Sequence, residues 1–300
     1  MALIDGGKLG LDDLVADHLP WFTPKSPDGS VAKITVRHLI THTSGLGYEY
    51  PTDPMICRGL QDTNFTLEEN FTRVARQPLS FAPGTGWQYG VNIDVLGAVV
   101  AKIDGGTLGD ALARYVTGPL GMVDTGFVVT DVTRLAIPYG DAQPEPLRMG
   151  DPHTVTSKYD GSQTVFSPGR AFNPRAFHSG GAGAVSTASD LLRFFEALRK
   201  GGAPILNQET VDAAMRNQIG DLPRDEKDAG QRFGFLGAVI ADPAAANSPH
   251  PVGTIRWGGV YGHEWFIDRT NALTVVSMTN TPVEGCAGKF RDDVSKAVYG

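Results

Sequence analysis

The most constraining stretch of the sequence is Phe81–Gly106, where a turn leads directly into a helix with one apolar face. Pro83–Gly86 has turn composition, since Pro fixes φ and Gly permits φ > 0. Apolar side chains then recur every three or four residues and predict a buried helix face, formed by Val91, Val95, Leu96, Val99, Val100 and Ile103. Gly105 and Gly106 are expected to end this helix. Tyr89 stands at its entrance, where the hydroxyl either bonds to nearby backbone or projects into a cleft.

Two further stretches, read together with the first, resemble one known family. Val36–Leu46 reads V-R-H-L-I-T-H-T-S-G-L, and Arg256–His263 reads R-W-G-G-V-Y-G-H. With F-x-P-G-T-x-W-x-Y ahead of the helix, the chain resembles the serine β-lactamase and penicillin-binding-protein superfamily, closest to its class C branch and the family VIII carboxylesterases. The resemblance runs from about Gly7 to the last helix. It implies an α+β fold of the β-lactamase/transpeptidase type, with an antiparallel sheet flanked by helices and a mainly helical region.

The resemblance also predicts where the nucleophile of such an enzyme stands. The family carries a Ser-x-x-Lys motif on a helix that continues, in relatives, into a stretch like Ala2–Asp13. We therefore expect an N-terminally truncated fold, with the catalytic Ser and Lys upstream of Met1. Ser30–Lys33 is a literal Ser-x-x-Lys, but it lies in a turn-like stretch, and Lys reaches Ser only across a helical turn. Ser30 is expected to be an ordinary loop residue, and the G-x-S-x-G pattern of α/β-hydrolases is absent from the sequence.

The resemblance assigns Tyr89 as the general base that activates the serine. A free phenol has a pKa near ~10, so a phenolate near neutral pH requires favourable neighbours. Val91 occupies the position of the Asn in the lactamase Y-x-N motif, and Trp257 occupies that of the lactamase Lys. Loss of that cation and that amide favours neutral esters over β-lactams and peptides.

The same resemblance assigns substrate contacts to the Trp257-Gly258-Gly259 strand. The two glycines would let a substrate approach the strand backbone closely, and the Val260 N–H would form half of an oxyanion hole. A bulged strand is the alternative interpretation of W-G-G alone. His263 and Tyr48 are further candidates for the cleft, Tyr48 being equally compatible with an ordinary surface loop.

Composition excludes several other classes of protein. The hydrophobic fraction of 41% suffices for a core in one large domain or two coupled ones. Lys and Arg number 26 against 33 Asp and Glu, without a basic block, so nucleic-acid binding is not expected. No apolar run is long enough for a membrane span, and no signal peptide is visible. Cys57 and Cys286 predict free thiols and a cytoplasmic protein, and no metal or cofactor is expected.

The pattern of elements predicts two parts that form one catalytic unit. Residues 1–190 are expected to be mainly helical, with helices at Leu11–Leu19, Val36–His42, Thr66–Gln77, the Tyr89 stretch and Thr107–Leu120. Residues 191–300 are expected to form an antiparallel sheet with a closing helix, the strands being Phe233–Ile240, Thr254–Trp257, Glu264–Asp268 and Leu273–Thr279. A strand beginning at Phe127–Val129, helices at Leu191–Leu198, Gln208–Gln218 and Phe290–Tyr299, and a cleft-covering excursion at Tyr139–Arg175 complete the prediction.

These observations predict a serine hydrolase of carboxylesterase type, acting on short-chain acyl esters through an acyl-enzyme. One alternative is a protein without the nucleophile that binds or scaffolds through an ester-shaped pocket, and another is a β-lactamase or D-amino-acid peptidase relative. The expected partner is a small-molecule ester. Self-association is also expected, because a missing N-terminal segment would leave apolar surface and a sheet edge open.

Overall fold

The C-terminal part of the chain folds into a five-stranded antiparallel sheet in which each strand pairs with its neighbour in sequence. A computed structural model describes residues 1–159, 161–225 and 228–300. The sheet strands, in spatial and chain order, are β5 (Gln231–Phe233), β6 (Ala238–Ile240), β7 (Ile255–Gly259), β8 (His263–Asp268) and β9 (Leu273–Met278). The turn expected around Asn271 joins β8 to β9, where the Asn271 amide donates to Asp268 Oδ2 at 2.7 Å. The predicted antiparallel sheet is confirmed.

One predicted strand, Phe233–Ile240, is wrong because it is two strands. The chain reverses between Phe233 and Ala238, and the Gly234 N–H donates to the Gly237 carbonyl at 2.8 Å. A side chain at Gly234 would lie 2.6 Å from the Ala214 carbonyl, so only glycine fits this tight turn. The predicted strand at Phe127–Val129 is also absent; that part of the chain forms only an isolated bridge from Gly126 to Val185.

Helices dominate the part of the chain before the sheet. Their bounds are α1 (Ala2–Asp5), α2 (Val15–His18), α3 (Val36–Ile40), α4 (Leu67–Ala75), α5 (Asn92–Asp104), α6 (Leu108–Leu112), a π-helical turn (Ala113–Thr117), α7 (Gly118–Leu120), 3₁₀ turns (Val132–Arg134 and Pro168–Phe172), α8 (Ala188–Arg199) and α9 (Gln208–Ala214), followed after the sheet by α10 (Glu284–Ala287) and α11 (Lys289–Tyr299). As predicted, Gly105 ends α5 in the left-handed conformation, at φ 81°. Among the described helices, none has the length and apolarity that crossing a bilayer requires.

Several helix starts follow from hydroxyl caps. Thr35 and Thr66 accept the backbone N–H three residues on, and that residue's side chain bonds back to the cap N–H. α8 is capped by Thr187 and begins three residues before the predicted Leu191, because the Thr187 hydroxyl accepts from the Asp190 N–H at 3.2 Å. The helix predicted at Leu11–Leu19 is confined to α2, since Leu11 and Asp13 carbonyls accept from the first amides of α3.

Two cores lie on either side of the predicted cleft. The first surrounds α5 and contains fully buried Phe71, Val95 and Val99. The second lies between the sheet and α8, where Phe195 stacks on Trp265 with ring centroids 4.2 Å apart. α11 covers the opposite sheet face, because its Tyr299 hydroxyl donates to Asp268 Oδ2 at 2.7 Å.

The excursion at Tyr139–Arg175 consists largely of two hairpins, formed by β1 (Tyr139–Gly140) with β2 (Leu147–Arg148) and by β3 (His153–Thr156) with β4 (Gln163–Phe166). The Tyr139 N–H donates to the Asn280 carbonyl at 2.8 Å, which ties the first hairpin to the end of β9. The Lys158 ammonium lies 2.8 Å from a Glu284 carboxylate oxygen, which ties the second to α10. These contacts hold β4 over the mouth of the cleft.

Candidate active site

A cleft of about 390 Å³ lies where α5 begins, β7 ends and β4 passes overhead. Tyr89 lies on its wall, together with Trp257, Gly258, Gly259 and Val260 of β7 and the turn after it. β6 pairs with β7 only at Ile255 and Arg256, so the second half of β7 presents an edge that β6 does not cover. Three segments that are distant in the chain therefore meet in one cavity: the start of α5, the end of β7, and β4.

The Tyr89 hydroxyl is held by neutral hydrogen-bond donors. The Trp257 Nε1–H donates to the phenol oxygen at 3.4 Å, and the two ring centroids lie 5.1 Å apart. Tyr48 packs edge-on against Tyr89 at 5.5 Å and hydrogen bonds to it. Although 37% of Tyr89 is exposed to the cleft, the surrounding rings desolvate the hydroxyl and raise its pKa, while both donors act in the opposite direction. The expected choice between backbone bonding and projection into a cleft is resolved in favour of the cleft.

Behind Tyr89 lies a buried polar network that fixes its ring. The His42 ring packs on Tyr89 with centroids 4.6 Å apart. Its Nδ1 lies 3.0 Å from the Asn92 amide, which is itself held by Ser44 and the Leu46 carbonyl. Burial lowers the pKa of His42 to about 3, so the ring is neutral. His42 also has φ 59°, an uncommon left-handed conformation for a non-glycine residue that this network stabilises.

Asp94 of α5 holds the glycine-rich turn that follows His178, and this turn lines the cleft at Gly181 and Ala182. Ser179 donates to Asp94 Oδ1, and the Gly181 N–H donates to the same oxygen at 3.3 Å. Asp94 is fully buried, its Oδ2 has no partner among the described residues, and burial raises its pKa to about 6. Gly181 and Ala182 line the same cleft as Tyr89.

The turn after β7 is fixed from two sides. The Gly262 N–H donates to the Gly259 carbonyl at 2.8 Å, and the Val260 carbonyl accepts from the Val283 N–H at 3.1 Å. Val283 itself has φ 66° and ψ −60°, and the next amide bonds back to Pro282, so this is a strained three-residue turn. Strain of this kind persists only where surrounding contacts enforce it. Val260 is thus rigidly placed at the end of the exposed strand edge.

One end of the cleft is charged. Arg256 and Glu264 form a buried ion pair there, and burial raises the pKa of Glu264 to about 6. Arg58 and Arg291 also line the cavity. Cys286 lies beside Gly258, and burial raises the pKa of its thiol to about 11, which makes it a poor nucleophile.

Most of the site residues predicted from the sequence come together here. Tyr48 and Tyr89 share the cleft with the whole of Trp257–Val260. His263 instead lines an adjoining apolar cavity of about 580 Å³, which contacts the cleft at Val260 and Gly259. Ser30 is exposed in a turn where both its amide and its hydroxyl bond to Asp28, so the expectation of a loop residue is confirmed. No Ser or Lys of the described residues lines the cleft.

Two residues that matter to the site were missed by the sequence analysis. Asp94 could have been found, since it stands three residues after Val91, a carboxylate on the apolar face of α5. Arg224 contacts the aromatic cluster around Trp257, but a lone arginine in a loop carries no pattern that predicts this. Within the described ranges, no group of three or more potential metal ligands occurs.

This fold, together with a tyrosine and an exposed strand edge in one cleft, defines the class of serine β-lactamase/transpeptidase-like proteins. The chain belongs to the Beta-lactamase family, whose model matches residues 1–296. The family makes it a serine hydrolase.

Individual relatives refine the comparison. Esterase EstB of Burkholderia gladioli is 45% identical over 307 aligned residues, which cover 100% of this chain and 78% of the relative. The structure of EstCE1, a hydrolase with promiscuous acyltransferase activity, matches with a TM-score of 0.92 and 39% identity over 99% of this chain and 80% of that one. A simvastatin synthase variant from Aspergillus terreus (LovD6) matches at a TM-score of 0.72 and 22% identity, over 99% of this chain and 78% of that chain, which is a likeness of fold alone.

Proposed function

We propose that this protein is a carboxylesterase that hydrolyses short-chain acyl esters through an acyl-enzyme, with Tyr89 as general base. The observation that carries the proposal is the position of the Tyr89 hydroxyl, which faces the cleft beside the uncovered edge of β7. The similarity to an esterase and to a hydrolase across nearly the whole chain supports it.

The proposed chemistry is two acyl transfers. The nucleophilic serine of the family, which is not among the described residues that line the cleft, attacks the ester carbonyl carbon while its proton passes to the Tyr89 phenolate oxygen, and Tyr89 then protonates the departing alcohol. Water attacks the acyl-enzyme in the same manner and regenerates the serine. Because burial raises the pKa of Tyr89, the phenolate depends on donors aimed at its oxygen, and Trp257 and Tyr48 are those that the described residues supply.

Val260 is proposed as one donor of the oxyanion hole. Its backbone stands at the end of the uncovered β7 edge, and the bond from the Gly262 N–H to the Gly259 carbonyl at 2.8 Å fixes the peptide plane that carries the Val260 N–H. A single preorganised donor of this kind contributes roughly 3 kcal/mol to transition-state stabilisation. Gly258 and Gly259 line the cleft beside it.

The preference for esters over lactams rests on Trp257. At the position of the lactamase Lys, the indole offers an apolar face and one N–H, and that N–H is directed to Tyr89. Arg256, the residue before Trp257 on β7, is neutralised by its ion pair with Glu264. The part of the cleft nearest to Tyr89 therefore favours a neutral acyl group.

The test compares hydrolysis of p-nitrophenyl butyrate with that of a chromogenic cephalosporin by the purified protein, before and after a fluorophosphonate probe. We expect the ester to be the better substrate, a single labelled serine by peptide mass, and loss of turnover on labelling. The Trp257→Lys variant serves as the matched control and should lose part of this preference. Preference for the cephalosporin, or neither turnover nor label, would contradict the proposal.

A further inference from the structure

Arg224 is a buried cation that the chemistry above does not use. Only 3% of its side chain is exposed, although it lies in a loop between α9 and β5. One guanidinium nitrogen lies 3.0 Å from Asp228 Oδ2, and another donates to the Arg232 carbonyl at 3.2 Å. Burying a cation is costly unless it is paired in this manner. The pairing explains how Arg224 can be buried, but not what the guanidinium does beside the cleft.

The guanidinium lies against three aromatic rings at once. Its distances to the ring centroids are 4.4 Å for Trp87, 5.5 Å for Phe233 and 6.0 Å for Trp257, all within the range of cation–π attraction. Phe233 packs edge-on against Trp257 at 5.2 Å and lies 5.4 Å from Trp87. Arg224 therefore joins Trp87 and Phe233 into one rigid support for the back of the Trp257 indole.

The orientation of that indole decides a hydrogen bond to the base. The Trp257 Nε1–H reaches the Tyr89 oxygen at 3.4 Å, close to the upper limit for such a bond, so a small rotation of the ring abolishes it. Among the described residues, the charged or titratable groups that face Tyr89 are Tyr48, Asp94 and Cys286, and the His42 ring packs on it. Of the two donors to the Tyr89 oxygen, Trp257 and Tyr48, the Trp257 indole is the one against which Arg224 lies.

We propose that Arg224 is a positioning residue, which acts through its stack with Trp87, Phe233 and Trp257 to aim the Trp257 N–H at the Tyr89 oxygen. This deepens the proposed function, because it assumes that the state of the Tyr89 hydroxyl matters to catalysis. The planar guanidinium is the essential feature, since an ammonium cannot stack on several rings. Arg224→Lys is therefore expected to behave like Arg224→Met.

The direct readout is the ultraviolet titration of Tyr89, obtained by subtracting the curve of the matching Tyr89→Phe protein, and it requires no turnover. We expect Arg224→Met, Arg224→Lys and Trp257→Phe each to move the Tyr89 midpoint to higher pH, because each removes the same donor from the phenolate. The double variant Arg224→Met/Trp257→Phe should move it no further than either single variant. Arg216→Met, an exposed arginine at the end of α9, is the matched control and should leave the midpoint unchanged.

Kinetics give the second readout. Loss of one hydrogen bond to the base predicts about a five- to tenfold lower kcat/KM for p-nitrophenyl butyrate in Arg224→Met, with no rescue by Arg224→Lys. Should Arg224→Met fail to fold by near-ultraviolet circular dichroism, Phe233→Leu interrupts the same stack and is expected to give the same midpoint shift.

Three results would overturn the positioning role: an unchanged midpoint in folded Arg224→Met, full rescue by Arg224→Lys, or additive shifts in the double variant. The first would show that Arg224 has no influence on the Tyr89 midpoint. The second would show that its charge, and not its planar shape, causes the shift. The third would show that Arg224 acts on Tyr89 by a route that does not involve Trp257. These outcomes are separate from the fate of the proposed function. An inert protein that shows the predicted midpoint coupling rejects ester hydrolysis and leaves the positioning of Trp257 intact.

Discussion

Tyr89 is contacted on several sides, and each contact sets a different property of the residue. His42 packs on the face of the ring and fixes its direction. Trp257 and Tyr48 supply the donors that lower the pKa of the hydroxyl against the effect of burial. The orientation of the Tyr89 ring and the pKa of its hydroxyl are therefore set by different elements of the fold, so its proposed role as a base depends on several residues.

Asp94 provides a prediction about pH and stability at the residue scale. Its carboxyl titrates near 3.8 when unfolded, and burial raises the pKa to about 6 in the native protein. Between pH 4 and 6 the native state then binds more protons than the unfolded state, so the free energy of unfolding falls as pH rises. In Asp94→Asn this contribution is absent, while an amide oxygen can still accept from Ser179 and Gly181.

The check is urea denaturation of both proteins between pH 4 and 7. The free energy of unfolding of Asp94→Asn minus that of the wild type should increase with pH by up to about 3 kcal/mol. Glu264, whose pKa burial also raises to about 6, contributes equally to both proteins and cancels. A difference that stays constant with pH would show that Asp94 titrates normally in the folded protein.

At the scale of elements, α4 illustrates how a short local signal fixes a boundary. The Thr66 hydroxyl accepts from the Glu69 N–H at 3.1 Å, and the Glu69 carboxylate accepts from the Thr66 N–H at 2.7 Å. We expect Thr66→Ala to lower the free energy of unfolding by about 1 kcal/mol, measured in urea. Thr66→Ser keeps the hydroxyl and should lose much less. Equal losses in the two variants would assign the effect to the methyl group and not to the cap.

The β7–β8 pair gives a second prediction at this scale. A Cβ added at Gly258 would lie 2.6 Å from the His263 carbonyl and 3.1 Å from the Cys286 Cβ, whereas one at Gly259 would meet only the movable His263 side chain, at 3.1 Å. Gly258→Ala should therefore cost about 1–3 kcal/mol of stability and also lower esterase activity, and Gly259→Ala should cost less. Thermal melting that ranks the two variants in the opposite order is incompatible with this packing.

At the scale of the whole molecule, the sequence predicted the features that hydrophobic periodicity or a sequence motif determines. The sheet and α5 follow from alternation and from three- and four-residue spacing, and both are present, although the predicted strand Phe233–Ile240 is divided into β5 and β6. Tyr89 and Trp257 were placed by motifs that relatives share, and they meet in the cleft.

The remaining features depend on contacts between distant parts of the chain. His263 follows a strand whose edge borders the cleft, yet the turn at Gly262 directs it into the adjoining cavity. Arg224 acquires its aromatic neighbours only once the loop before β5 folds against the sheet. The excursion hairpins carry too few apolar residues for periodicity to locate their strands. Packing between elements, and not local pattern, decides each of these.

The central claim, that Tyr89 is the general base of an ester hydrolase, is tested most directly by kcat for p-nitrophenyl butyrate in Tyr89→Phe. Tyr48→Phe is the matched control, because it removes the neighbouring hydroxyl in the same cleft. We expect kcat to fall about 10²- to 10⁴-fold in Tyr89→Phe, with unchanged melting temperature, and to fall only about tenfold or less in Tyr48→Phe. A Tyr89→Phe protein that keeps the wild-type kcat would contradict the assignment of Tyr89 as the base.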